Sequence, residues 1–168
     1  YHPDDPAALR AEQDALLLEV WQACNKSGHE LLLEVILPEN GPDKDERHYH
    51  TMLEHFYQLG IKPDWWKLPP LSSASWQQIT ALIEREDPWS RGILILGLDA
   101  PSDKLRAGFA EAAAHPMIKG FAVGRTIFGQ PSRRWMQGEL SDEALIEEVK
   151  RNYLTLIGYW RGARRRSP

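Results

Sequence analysis

A chain of 168 residues with a net charge of −4, 42% apolar and 26% charged residues, and no low-complexity tract has the composition of a globular protein rather than a disordered or fibrous one. At this size a single domain can bury roughly 70% of its unfolded surface, so one core is enough. No apolar stretch nears the roughly 18 residues of a membrane span, no signal-peptide pattern opens the chain, and the surplus of acid argues against a nucleic-acid partner, so the default location is cytoplasmic.

The elements follow in a regular order. Asp5-Pro6 supplies a start signal, and Leu9, Leu16, Leu17, Val20, Trp21 and Cys24 recur at helical spacing until Gly28 stops the helix. Cys24, the only cysteine, therefore falls on an apolar face as a buried thiol, and no disulfide framework is possible. Leu31-Leu32-Leu33-Glu34-Val35-Ile36-Leu37, ended by Pro38, predicts a strand buried on both faces, the kind found in parallel sheets. A helix over about residues 44 to 59 carries Met52, Leu53, Phe56 and Tyr57 on one face and ends at Gly60, and a short strand spans Asp64 to Leu68. Ser72 or Ser73 opens a third helix with Trp76, Ile79, Leu82 and Ile83 together, and Gly92 to Leu98 is the next strand. A fourth helix from Ser102 turns Leu105 and Phe109 inward and closes at His115-Pro116, before a strand at Lys119 to Val123. A short helical segment near Thr126 to Met136 precedes a last long helix from about Ser141, which aligns Leu145, Ile146, Val149, Tyr153, Leu156, Ile157 and Trp160. The terminal cluster Arg161, Arg164, Arg165 and Arg166 reads as a solvated tail.

Strand-helix units at a spacing of about 30 residues, with no Gly- or Ser-rich linker, predict a single α/β domain over residues 1–168 with a parallel sheet. Right-handed crossovers leave an open doubly wound sheet or a section of a (β/α)8 barrel. Tyr1-His2-Pro3-Asp4-Asp5 has the character of a strand end ahead of the first helix, and whole barrels usually need about 250 residues, which favours the barrel section. Four strands cannot close a barrel, so the exposed edges of such a section would invite two copies to pair.

In parallel α/β folds the chemistry sits at the C-terminal ends of the strands. Those ends offer Tyr1, His2 and Asp4, then Glu34, Lys67, Gly97 and Asp99, and Gly124-Arg125. Lys67 follows Trp65 and Trp66 and precedes Leu68-Pro69-Pro70, so its ammonium is expected against apolar surface. Desolvation favours the free amine, which can attack a carbonyl and form a Schiff base; the plainer alternative is a lysine lying over two indoles. Glu34, a carboxylate among aliphatic residues, needs a partner, and Lys67 on the neighbouring strand can reach it, as a proton shuttle or as a structural ion pair. Gly124-Arg125 at a strand end, ahead of a short helix, suits a phosphoryl group, although a surface arginine is the simpler account of Arg125. His48, His50 and His55 do not share a helix face, so no metal site is expected. Pro38-Glu39-Asn40-Gly41-Pro42-Asp43 is a poor phosphate loop, and no Gly-x-Gly-x-x-Gly or P-loop occurs, which argues against a nucleotide binder.

Tyr-His-Pro-Asp-Asp, Leu-Leu-Leu-Glu-Val, Asp-Trp-Trp-Lys-Leu-Pro-Pro and Gly-Phe-Ala-Val-Gly-Arg-Thr-Ile-Phe, in this order, resemble strands four, five, six and eight of the tagatose-bisphosphate aldolase group. More closely, the chain resembles the C-terminal half, about strands 5 to 8, of the aldolase-like domain (of the domain of unknown function 2090 type) fused to the sugar kinase in long forms of 5-dehydro-2-deoxygluconokinase. The resemblance implies a TIM-barrel lyase of myo-inositol catabolism that cleaves 2-deoxy-5-keto-gluconate 6-phosphate to dihydroxyacetone phosphate and malonate semialdehyde without a cofactor. It implies Lys67 as the imine-forming lysine, Glu34 as its acid/base neighbour, and Gly124 and Arg125 at the phosphate; Gly97, Asp99 and His2, at the other strand ends, are expected as further substrate contacts from their position. The implied partners are the N-terminal half barrel and the sugar-kinase domain. Where the aldolase group tends to carry a Leu-Ser-x-Gly turn, this chain has Leu96-Gly97-Leu98-Asp99, and an aspartate there would repel a phosphate dianion. A non-catalytic module that binds sugar phosphate and scaffolds a kinase is the alternative.

Overall fold

The computed structural model describes residues 1–37 and 45–166. In chain order the elements are α1 (Ala7–Ser27), β1 (Leu32–Glu34), α2 (Arg47–Gln58), β2 (Trp65–Leu68), α3 (Ser73–Glu86), β3 (Gly92–Ile95), α4 (Ser102–Ala112), β4 (Ile118–Phe121), α5 (Arg125–Met136) and α6 (Asp142–Arg166). Pro38, the expected start of the second helix near 44 and the Pro38 to Asp43 loop lie outside the described residues.

All three strand pairings are parallel, and the sheet order is β1-β2-β3-β4. Parallel neighbours taken in sequence with right-handed crossovers put every connecting helix on one side of the sheet. The burial follows that rule. Trp66, Leu68, Ile93, Ile95 and Ile118 are fully buried beneath the helices. On the other face Leu32 is 42% exposed, Glu34 is exposed, and Trp65, Lys67, Leu94 and Gly120 are half-buried. A doubly wound sheet would reverse its strand order and cover both faces. The observed arrangement is an α/β layer with a four-stranded parallel sheet, consistent with a half barrel.

Local chemistry explains the boundaries. Gly28 ends α1 in the left-handed conformation (φ 71°), donating its N–H to Cys24 O. Ser72 caps α3 by accepting from the Ser75 amide, and Glu46 accepts from both the amide and hydroxyl of Ser72. Gly92 opens β3 at φ 127°, where a Cβ would sit 2.4 Å from Met117 O, so only glycine fits beside β4. The core runs from α2 to α6: Trp66 packs between Phe56 and Tyr57, and Phe109 stacks on Phe121 (5.1 Å) and meets Trp160 edge-on (5.7 Å).

Three expectations need correction. The first strand is buried on one face only, because nothing among the described residues covers Leu32 and Glu34. The helix α1 has the expected apolar periodicity but buries no residue: Leu9, Leu16 and Val20 are exposed and Cys24 is only half-buried, since α1 lies beside the free edge of β1. Of the terminal arginines, which lie on the last turns of α6, Arg161, Arg165 and Arg166 are exposed as expected and Arg164 is not. Arg164 donates to Ala113 O (2.9 Å) and Ile118 O (3.1 Å) and lies over the Trp160 ring, fastening the end of α6 to β4. No helix of the described residues is long and apolar enough to cross a membrane.

Candidate active site at the open face of the sheet

Glu34 and Lys67 are register partners in the parallel pair β1·β2, so their side chains leave the sheet on the same face from strands about 4.8 Å apart. Lys67 Nζ lies 2.8 Å from Glu34 Oε1. Both residues stand at the C-terminal ends of their strands, and Pro69-Pro70 stops β2 immediately beyond. The register row continues through Leu94 to Gly120, and no heavy atom lies within 4 Å of where a Cβ on Gly120 would be. Beyond the charged pair the row is therefore open at Gly120.

The surroundings of the pair differ from expectation. Alternation turns Trp66 to the helix side, so Trp65 alone shares the face of Lys67. The Trp65 indole N–H donates to Glu30 (2.9 Å). The Lys67 side chain is 20% exposed and that of Glu34 39%, so the carboxylate is not the costly buried charge its aliphatic neighbours suggest. On its other side Glu34 borders an apolar cleft of about 460 Å³ between β1 and α1, walled by Leu16, Leu17, Val20, Leu33 and Phe56 with Tyr1 at its rim. Burial, helped by the Asp14 charge, raises the Tyr1 phenol above its ordinary range, and its ring stacks on His55, which itself pairs with Asp14 at 2.9 Å.

Gly97, Asp99, Gly124 and Arg125 come together where β3 and β4 end. A Cβ at Gly97 would meet Val123 Cγ1 at 2.8 Å, so this glycine allows the two strand ends to close up. Leu98 and Asp99 follow in left-handed backbone (φ 46° and 59°), an uncommon pair of conformations that turns the Asp99 carboxylate to the surface. Gly124 precedes α5, its carbonyl accepting from the Ile127 and Phe128 amides, and Arg125 is the first residue of that helix. Asp99 and Arg125 line a polar cleft of about 320 Å³ with Ser102, Thr126 and Arg133. Thr126 is held there by donating to Ala100 O (2.9 Å). Asp99 thus shares this cleft with two arginines. Arg133, two turns beyond Arg125 on α5, was not singled out from sequence; its spacing along a predicted helix was the available signal.

His2, ahead of α1, lies against His48 at the start of α2. It is 1% exposed, its backbone N–H donates to Asp5 Oδ2 (2.8 Å), and its ring lies 4.6 Å from that of His48. Tyr1, not His2, borders the cleft beside Glu34. Among the described residues, His2, Asp4 and His48 are also the one group of three side chains with donors close enough to suit a metal ion. The spacing of histidines along one helix does not reveal a partner that arrives from ahead of α1.

A comparison with curated proteins finds no match. Residues 1–164 match the model of a family described as an uncharacterized protein conserved in bacteria (DUF2090), and the chain belongs to that family.

Proposed function

We propose that this chain is the Schiff-base half of a class I aldolase-type lyase acting on a phosphorylated keto sugar acid. The observation that carries this reading is the Glu34–Lys67 pair at 2.8 Å, at adjacent strand ends on the uncovered face of the sheet. An ammonium must lose a proton before its nitrogen can attack a ketone. Glu34 is the acceptor at hand, and the protonated carboxyl can then give that proton to the carbinolamine hydroxyl as water leaves. The resulting iminium accepts electrons as the neighbouring carbon–carbon bond breaks. Arg125, aided by N–H groups at the start of α5 and by the turn at Gly97, is the proposed phosphate contact, and Asp99 takes a sugar hydroxyl.

The substrate favoured by the sequence resemblance is 2-deoxy-5-keto-gluconate 6-phosphate, cleaved to dihydroxyacetone phosphate and malonate semialdehyde. This reading requires four further strand-helix units against the free edges of β1 and β4 to complete a (β/α)8 barrel, fused to a sugar kinase in the whole protein. The 168 residues alone are then expected to give no turnover, and to pair as dimers that cover those edges; a monomeric mass in solution would rule the pairing out.

A second reading, a non-catalytic module that binds sugar phosphate beside a kinase, draws on the polar cleft, which holds Arg125 and Arg133 independently of Lys67. Borohydride trapping with candidate substrate on the full-length protein, with and without Lys67→Ala, separates the two. Trapping that survives the substitution removes the proposed mechanism, and phosphate-dependent binding without trapping favours the module.

A further inference from the structure

We propose that His2, Asp4 and His48 form a binding site for a divalent transition-metal ion of the zinc class, which clasps the segment ahead of α1 to the first turn of α2. One donor atom from each residue lies within 4.8 Å of the other two. The two residues ahead of α1 are preset by a tight turn: the Asp5 amide donates to His2 O (3.0 Å), the His2 amide donates to Asp5 Oδ2 (2.8 Å), and His2 Nδ1 lies 3.8 Å from Asp4 Oδ2. His48 comes from the helix that follows β1, and its ring is tilted 58° to that of His2, so the two imidazoles are not stacked flat against each other.

Ligand atoms about 2.1 Å from a tetrahedral ion are about 3.4 Å apart, so donors within 4.8 Å of one another must close by up to about 1.4 Å. Rotation of Asp4, whose side chain is 73% exposed, supplies part of that movement. The Asp4 amide now donates to His2 Nδ1 at 3.1 Å. Binding at that nitrogen exchanges one neutral hydrogen bond for a metal–nitrogen bond, the stronger of the two.

Two imidazoles and one carboxylate are a borderline donor set. It suits zinc, cobalt or iron(II) rather than magnesium or calcium, which take oxygen ligands. Three protein ligands leave one position of a tetrahedron to water, and the exposed Asp4 side is where ion and water would arrive. The site uses neither Glu34 nor Lys67, so it stands or falls separately from the Schiff-base reading.

The test takes the chain after chelator treatment and titrates it with zinc by calorimetry and with cobalt by visible absorption. The expected result is one ion bound per chain, a cobalt spectrum of tetrahedral type, and a zinc-dependent rise in melting temperature. Asp4→Ala and His48→Ala are each expected to weaken binding at least tenfold and to abolish the melting shift, while His29→Ala and His50→Ala leave both unchanged. If His48→Ala does not fold, Asp4→Ala decides alone, because an exposed side chain can be removed without loss of packing. No binding, or binding equally strong in Asp4→Ala, overturns the proposal.

Discussion

The tryptophans Trp65 and Trp66 are neighbours in β2 that leave the sheet on opposite faces, and replacing them separately measures how one-sided the core is. Trp66 is fully buried, donates its indole N–H to Tyr57 Oη at 2.9 Å and contacts the Phe56 and Tyr57 rings at 6.4 and 5.6 Å. Trp66→Ala removes that volume, a loss of about 3–5 kcal/mol, and leaves the buried Tyr57 hydroxyl without its donor, a further ~1–3 kcal/mol. A domain with a total stability of about 5–15 kcal/mol would be left marginal or unfolded. Trp66→Phe keeps most of the ring contact and isolates the hydrogen-bond loss, at about 1–3 kcal/mol. Trp65→Ala removes a half-buried ring and one indole bond to the exposed Glu30, and is expected to cost about 1 kcal/mol or less. Urea unfolding followed by far-ultraviolet circular dichroism reads both midpoints on the same 168 residues. Equal losses for Trp65→Ala and Trp66→Ala would mean that both faces of the sheet are covered, and the one-sided architecture would be wrong.

Other substitutions probe local claims. Gly92→Ala places a methyl group against Met117 O in backbone that L-residues rarely adopt, so denaturation should show a loss of at least about 2 kcal/mol; a loss below half that would refute the close approach of β3 and β4. Burial raises the Asp87 carboxyl above its ordinary range, so Asp87 favours the folded state in acid and that contribution is lost as pH rises through its folded value. Asp87→Asn should therefore melt higher than the parent at neutral pH, with the advantage closing below the ordinary carboxylate range, and a constant offset across pH would contradict this cause. Glu34→Gln keeps the shape of the pair and removes the proton acceptor. Stability should change by about 1 kcal/mol or less, because the pair is partly exposed, while the rate of imine formation in the full-length protein should fall by about 10²-fold or more; an unchanged rate would leave Glu34 as a structural partner only.

Much of this architecture is written in local patterns. The aliphatic runs at 31–37 and 92–98 and the helical spacing of Trp76, Ile79, Leu82 and Ile83 specify strand or helix without reference to the rest of the chain. The Glu34–Lys67 contact was also legible, since alternation sets the face and neighbouring parallel strands set the reach. What the sequence hides is whatever lies opposite. The periodicity of α1 promises a buried stripe, but periodicity cannot say whether another element is there to cover Leu16 and Val20. The same gap made Glu34 look buried. Arg164 looked like part of a solvated tail because its two carbonyl partners, Ala113 and Ile118, flank the start of β4 far away in sequence. His2 and His48 meet only through the packing of the first turn of α2 against the residues ahead of α1.

Whether Lys67 is the nucleophile is read directly by peptide mass spectrometry after borohydride reduction. The full-length protein is incubated with 2-deoxy-5-keto-gluconate 6-phosphate, reduced and digested. A stable adduct is expected on the peptide that holds Lys67, absent in Lys67→Ala and slowed in Glu34→Gln. An adduct on a different lysine, or none while the protein still cleaves the substrate, would contradict it.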